Sequence, residues 1–149
     1  MKQEPVSRGT GIPGLQLQAG EDVKRRTVPL PAGLAGLVPI SAAVRTGDLV
    51  ALSGCVSLDP ATGLARGGTV QDQARDVFAQ IAGVLEQAGA SLTDVVRCVC
   101  YLTDAADAPG LDAVFRETFP VDPPARTTVI CGLARPGLLV EIEATAWCG

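Results

Sequence analysis

The feature that most constrains the fold is a one-sided amphipathic segment, which predicts a helix over residues 70–88. Its apolar residues recur at helical spacing and share one face: Val70, Ala74, Val77, Phe78, Ile81, Val84, Leu85 and Ala88. Thr69 and Asp72 resemble a capping box, and Gly89 is a typical helix stop. Such a helix must cover a sheet or another helix, so its apolar stripe indicates core packing without a cofactor.

Runs of β-type residues predict the strands that accompany this helix. They cover residues 40–44, 49–53, 95–102, 126–133 and 138–147, and a shorter second helix follows a cap at Asp107. The order β-β-α-β-α-β-β predicts an α+β domain, in which a mixed sheet carries two helices on one face. One right-handed crossover is expected through the first helix. The last two strands are predicted to pair through a tight turn at residues 134–137.

The amino-terminal part of the chain shows no sustained periodicity. Residues 1–27 are polar with Gly and Pro, and predict a flexible or loosely docked extension. A single domain is therefore expected over residues 28–149. The basic cluster Lys24-Arg25-Arg26 is interpreted as a solvated turn or as an anion contact.

Composition excludes several classes of function. The chain has 149 residues and no His, which removes Ser-His-Asp and Cys-His catalysis in their usual forms. A net charge of −4 argues against nucleic-acid binding. The five cysteines are expected to be free thiols, and a metal site is disfavoured because Cys98 and Cys100 lack zinc-site spacing. With no membrane-length apolar run and no signal peptide recognised, a cytoplasmic protein is expected.

Charges in the last two predicted strands stand in apolar surroundings. Arg126 and Glu141 lie on strands where a charge loses solvation and needs a partner or a ligand. Arg126 is expected either to pair with Glu141 or Glu143 across adjacent strands, or to hold a ligand. The face that carries Leu139, Glu141, Glu143, Thr145 and Trp147 is too apolar for bulk water and too polar for a core. It predicts contact with another copy in a C₂ or C₃ homo-oligomer.

A series of short motifs runs through the chain. They are Leu52-Ser53-Gly54, Asp59-Pro60-x-Thr62-Gly63, QAGASLTDVV at residues 87–96, Tyr101-Leu102-Thr103-Asp104, Phe119-Pro120, Pro124-Ala125-Arg126-x-Thr128-Val129 and Val140-Glu141-Ile142-Glu143-Ala144. In this order and spacing, over residues 39–147, the series resembles the RidA/YjgF family of reactive-intermediate deaminases.

The resemblance implies a fold, an assembly and a site. The fold would be chorismate-mutase-like, forming a homotrimer with clefts between subunits. Arg126 would bind the carboxylate of a small enamine or imine substrate, and Glu141 would hold or activate the attacking water. The same cleft would be lined by Ser53, Gly54, Cys55, Ile40, Thr128 and Tyr101. No cofactor is implied, because a protonated imine is already electrophilic and needs only positioning and proton transfer.

Three positions depart from the family's pattern. Ile40 stands where a Tyr is frequent, Cys55 where a Gln often follows Ser-Gly, and Asp112 where the second helix often carries an Asn. These changes reshape an apolar part of the expected pocket. They keep two further hypotheses open: a pathway-specific enzyme acting on a larger intermediate, and a non-catalytic trimer that binds small carboxylates or proteins.

Overall fold

The computed structural model describes residues 24–36 and 38–149, which form one mixed sheet and two helices. The elements are β1 (Arg25–Val28), β2 (Ala43–Thr46), β3 (Leu49–Leu52), β4 (Cys55–Val56), α1 (Val70–Ala88), β5 (Val95–Leu102), α2 (Ala108–Thr118), β6 (Ala125–Ile130) and β7 (Val140–Trp147). The strand order is β1-β2-β3-β7-β5-β6, and β4 also pairs with β7. The predicted α+β class is therefore confirmed. Within the described ranges, neither helix has the length and hydropathy that crossing a membrane requires.

Helix α1 begins and ends where the sequence predicts. Thr69 and Asp72 form a reciprocal capping box, and Gly89 ends the helix in the left-handed conformation with φ of 76°. Arg26 donates a hydrogen bond to the Ala88 carbonyl, and Arg45 donates to the carbonyls of Ala88 and Gly89. The basic cluster thus supplies one of the two cations at the negative end of the helix dipole.

The two helices cover the same face of the sheet. The inward side of β7 consists of Val140, Ile142, Ala144 and Ala146, which alternate with the predicted interface residues and are all buried. The helices meet through Phe78 of α1 and the pair Phe115 and Phe119, with ring centroids 4.9–5.9 Å apart. The opposite face of the sheet has no helix from the described part of the chain, and it is the face that carries Glu141 and Trp147.

The predicted pairing of the last two strands is wrong. Strand β6 lies at the sheet edge and pairs parallel with β5, whereas β7 pairs antiparallel with the other side of β5. Helix α2 connects β5 to the parallel β6, so the chain has two helical crossovers between strands of the same direction, one more than predicted. Because β5 separates β6 from β7, the chain must pass over the end of β5 before β7 begins.

The buried residue Gln73 on α1 forms hydrogen bonds with the segment that connects β6 to β7. Its amide donates 2.8 Å to the Gly137 carbonyl, and its side-chain oxygen accepts 2.9 Å from the Leu139 amide. The side chain is 1% exposed, so water does not replace these partners easily.

We expect Gln73→Ala to lower the free energy of unfolding by about 1–2 kcal/mol, because it removes two hydrogen bonds from a buried side chain to the β6–β7 connection. Urea denaturation measures the loss. Gln87→Ala, on the exposed side of the same helix, is the matched control and should change stability by less than about 0.5 kcal/mol. Equal effects of the two substitutions would refute the role given to Gln73.

Two irregularities reverse side-chain directions that strict alternation predicts. Between β5 and β7 the register shifts at Val95–Arg97, so Val95 is buried while Val96 is 50% exposed, the reverse of what alternation with buried Cys98 and Cys100 predicts. Between β3 and β4 the register with β7 slips by one residue at Ser53–Gly54, since Ala51 faces Thr145 and Cys55 faces Ile142. The second irregularity turns Cys55 toward the helices.

The amino-terminal boundary also differs in detail from the expectation. Strand β1 begins at Arg25 and pairs along its length with β2, so residues 25–27 form part of the sheet. The rest of the expected extension, residues 1–23, lies outside the described residues.

Candidate functional site

Arg126 lies on the edge strand β6 and points to the helix side of the sheet. Its register partner on β5 is Cys98, whose side chain is buried under the helices. The Arg126 Nη2 donates a hydrogen bond of 2.5 Å to Asp112 Oδ1 on α2, and its guanidinium carbon lies 4.7 Å from the Phe115 ring centroid. The interpretation of Arg126 as an ion-pair partner of Glu141 or Glu143 is therefore wrong, since its carboxylate partner is Asp112.

Thr128 accompanies Arg126 on the same side of β6. Its register partner is Cys100, which also faces the helices, and Thr128 itself is exposed. We call Arg126, Thr128, Asp112 and Phe115 the arginine cluster. The Arg126 side chain is 27% exposed, and its guanidinium is stacked on one face and bonded at one nitrogen. Among the described residues, Nε and Nη1 donate no hydrogen bond, so these donors remain available to a carboxylate.

Glu141 lies on β7 and faces away from both helices. Its register partners are Tyr101 on β5 and Val56 on β4. The carboxylate lies directly against Gly54, where an added Cβ would collide with Glu141 Oε1. Gly54 is therefore required for the close approach of this carboxylate to the backbone. This links the Ser53-Gly54 motif to Glu141 within one chain.

The electrostatics around Glu141 favour a proton acceptor. Partial burial, followed by the charge of Glu143, raises the pKa of Glu141 above its usual range. Burial also raises the pKa of Tyr101, with further contributions from Glu143 and Glu141, so Tyr101 stays protonated as a donor. We call Glu141, Glu143, Tyr101, Gly54 and Ser53 the glutamate cluster.

The other predicted cleft residues surround the Ser53–Gly54 irregularity. Ser53 Oγ donates to the Ser41 carbonyl, which places Ile40 next to this corner, where it is 51% exposed. Cys55 faces the helices, and burial, followed by the charge of Glu141, raises its pKa to about 11. Cys55 is therefore a protonated thiol at neutral pH, which argues against a nucleophilic role.

An apolar cavity of about 180 Å³ lies on the helix side of this corner. Its lining includes Leu30, Pro31, Leu34, Ala42, Cys55 and Val84. Gly54 is part of this lining, and Glu141 contacts Gly54 from the opposite face of the sheet. No group of three or more His, Cys, Asp or Glu side chains within residues 24–36 and 38–149 is placed to hold a metal ion.

The two clusters lie on opposite faces of the sheet. Arg126 and Thr128 face the helices, whereas Glu141 and Tyr101 face the uncovered side, and β5 stands between β6 and β7. One small substrate therefore cannot contact both clusters of the same chain. Any site that uses both must combine residues of two copies.

Sequence reasoning did not assign Asp112 and Phe115 to Arg126. In the sequence, Asp112 stands out only as a departure from the family's pattern, and Phe115 fits the apolar side of α2. Their spacing of three residues does place them on one side of the helix. The missing information was that β6 pairs parallel with β5, which carries Arg126 beneath that helix.

Comparison with known proteins shows a consistent set of relatives. The sequence profile of the family described as Endoribonuclease L-PSP matches residues 32–148. A RutC family protein from Pyrococcus horikoshii is 35% identical over 127 residues, covering 85% of this chain and 97% of the relative. The 3-aminoacrylate deaminase RutC of Acinetobacter baylyi is 36% identical over 110 residues, covering 74% and 87%. The crystal structure of a YjgF family member from Mycobacterium tuberculosis has a TM-score of 0.74 at 35% identity, covering 83% of this chain and 99% of that one.

Proposed function

This chain belongs to the Endoribonuclease L-PSP family, which is the YjgF/RidA family, and we propose that it hydrolyses carboxylate-bearing enamine or imine intermediates. The observation that carries the proposal is a pair of side chains, one suited to bind the substrate carboxylate and the other to accept a proton from water. Arg126 offers free donors for a carboxylate, and Glu141 has a raised pKa that suits a base. The relative named 3-aminoacrylate deaminase acts on a substrate of this chemical class.

We infer that the site forms between copies of a homotrimer, with Arg126 of one copy facing Glu141 of its neighbour. The opposite orientation of the two clusters within one chain supports this arrangement. The uncovered sheet face also carries large apolar side chains, with Trp147 53%, Leu49 36% and Val129 38% exposed. Such side chains beside half-buried carboxylates are typical of a surface that another subunit covers.

The proposed reaction needs no covalent intermediate with the protein. An enamine substrate first takes a proton on carbon and becomes the imine, whose protonated nitrogen makes the C=N carbon electrophilic. Arg126 fixes the carboxylate, and Glu141 removes a proton as water adds its oxygen to that carbon. The proton passes to nitrogen, the C–N bond breaks, and ammonia leaves as the carbonyl product forms. Protonated Tyr101 serves as a hydrogen-bond donor beside the water.

RNA cleavage, which the family name Endoribonuclease L-PSP suggests, fits this chain less well. The net charge is −4, and the uncovered face carries Glu141 and Glu143 together. Carboxylates on that face repel a phosphate backbone, whose binding depends on cationic surface. We therefore propose a small carboxylate, and not a nucleic acid, as the partner.

A larger substrate is the second candidate, and one observation favours it. Ile40 is half exposed, and the hydrogen bond from Ser53 to the neighbouring Ser41 holds it beside the glutamate cluster. An intermediate with an apolar tail gains binding energy there, whereas a three-carbon substrate does not reach it. A series of imino acids of increasing side-chain length distinguishes the candidates, because only a pocket for a tail makes kcat/KM rise with length.

The pH dependence of deamination tests the role of Glu141. Since the carboxylate form is the base and its pKa is raised, activity should rise with pH through a midpoint above 4.5, the ordinary Glu value. Glu143→Gln removes the neighbouring negative charge, so we expect the midpoint to move to lower pH. Glu141→Gln should remove this rise of activity with pH, the acid limb of the profile, and lower kcat by roughly 10²-fold. Ammonia release from an imino acid generated in situ by an amino-acid oxidase provides the rate.

Two outcomes would contradict the proposal. An acid limb that persists in Glu141→Gln shows that another group is the base. Carboxylate binding without any ammonia release by the wild-type protein identifies a non-catalytic carboxylate-binding trimer instead.

A further inference from the structure

The contact between Asp112 and Arg126 has a consequence for what the proposed site binds. Asp112 places a carboxylate of the protein on the same guanidinium that we propose for the carboxylate of the substrate. With Arg126 alone the subsite would carry one positive charge, whereas the pair is formally neutral. The electrostatic attraction for a plain monocarboxylate is correspondingly reduced.

We propose that Asp112 is a specificity-determining residue, which makes the subsite select carboxylates that carry an N–H or O–H donor next to the carboxylate. This inference rests on the proposed function, since it assumes that Arg126 binds the carboxylate of the substrate. A ligand carboxylate that binds either bidentate edge of the guanidinium, Nε with Nη2 or Nη1 with Nη2, shares Nη2 with Asp112, so the two carboxylates are near neighbours. A donor on the adjacent carbon can bond to Asp112 and relieve this repulsion, whereas a carbonyl oxygen there adds to it.

The stacking of Arg126 strengthens the argument that Asp112 is a permanent part of the subsite. Phe115 covers one face of the guanidinium at 4.7 Å and limits its movement away from α2. Phe115 and Asp112 belong to the same helix, so a single rigid element fixes both contacts. A movement of Arg126 away from α2 therefore weakens both contacts together.

The selection acts between substrate and product of the proposed reaction. The protonated imino acid presents N–H groups next to its carboxylate, and the keto-acid product presents only a carbonyl acceptor there. Asp112 thus favours the substrate and weakens retention of the product. A protein with a neutral side chain at this position should hold the keto acid more tightly.

Calorimetric titration with pyruvate and L-lactate tests the inference without any turnover. The two ligands have the same carbon skeleton, but lactate carries an O–H donor where pyruvate carries a carbonyl. We expect Asp112→Asn to bind pyruvate roughly tenfold more tightly than wild type and lactate only about threefold more tightly, so that the preference for lactate falls. Asp107→Asn makes the same charge change at the start of the same helix, where the side chain makes no capping hydrogen bond, and should match wild type.

The outcomes separate this inference from the proposed function. If Arg126→Ala abolishes pyruvate binding while Asp112→Asn leaves the affinity and the lactate preference unchanged, the inference is wrong, but carboxylate binding by Arg126 is supported. If Arg126→Ala binds pyruvate as well as wild type, Arg126 does not bind the carboxylate, and both the proposed function and the inference are wrong. Should Asp112→Asn fail to fold, Asp112→Ser removes the same charge and must change both affinities in the same direction.

Discussion

Arg126→Ala is expected to lower kcat/KM for imine deamination by roughly 10³-fold. The loss combines a charge-assisted carboxylate contact with the positioning of the reacting carbon, which together are worth several kcal/mol of barrier. Arg126→Lys keeps the charge but loses the planar fork, so we expect a loss of roughly 10–100-fold. Measuring ammonia release at substrate concentrations well below KM reports these ratios directly.

Stability must be followed in the same variants. The Arg126–Asp112 pair is partly exposed, with side chains 27% and 38% accessible, so its loss should change the free energy of unfolding by no more than about 1 kcal/mol. Arg25→Ala removes an exposed cation from β1, at the opposite end of the sheet from β6, and serves as the control. Comparable rates for Arg126→Ala, Arg25→Ala and wild type would show that Arg126 has no part in binding the reacting molecule.

Helix α1 could be predicted to the residue because its signals are local. The capping box at Thr69, the apolar repeat and the left-handed stop at Gly89 all lie within the segment that they define. Strand β5 was likewise predicted with its observed bounds, Val95–Leu102. Strict alternation nevertheless places its first two side chains on the wrong faces, because the irregularity opposite β7 depends on a partner that is distant in sequence.

The order of the last strands could not be predicted in the same way. Two β-type runs joined by Arg135, Pro136 and Gly137 predict a hairpin on local grounds. Insertion of β5 between β6 and β7 is a non-local pairing choice, and nothing within residues 126–147 encodes it. That choice decides on which face Arg126 lies.

In the candidate site, too, the features that follow from local pattern could be predicted, and those that depend on non-local strand pairing could not. Alternation along β7 correctly predicted that Glu141, Glu143 and Trp147 share the face opposite the buried stripe. The partner of Arg126 was predicted wrongly, because the parallel register with β5 brings Asp112 to it instead. The motif that contains Gly54 was identified by resemblance alone, and the structure supplies its physical reason in the contact with Glu141.

Mixing two inactive variants should restore activity if the site lies between copies. In Arg126→Ala every copy keeps Glu141, and in Glu141→Gln every copy keeps Arg126. Within a mixed ring, a site is intact where the retained Arg126 of one copy meets the retained Glu141 of the next. Random assembly at equal amounts creates such a site at about a quarter of the interfaces, so activity should recover to about a quarter of wild type.

The experiment needs exchange of subunits, achieved by joint unfolding and refolding in urea or by co-expression with two different tags. Purification through both tags selects mixed assemblies and raises the expected recovery above that of the random mixture. Refolding each variant alone is the control and should stay inactive, because no interface then contains both groups. A site confined to one chain gives no recovery at any mixing ratio, since every chain lacks one of its two groups. Recovery therefore requires that Arg126 and Glu141, which face opposite sides of one sheet, meet across the boundary between two copies.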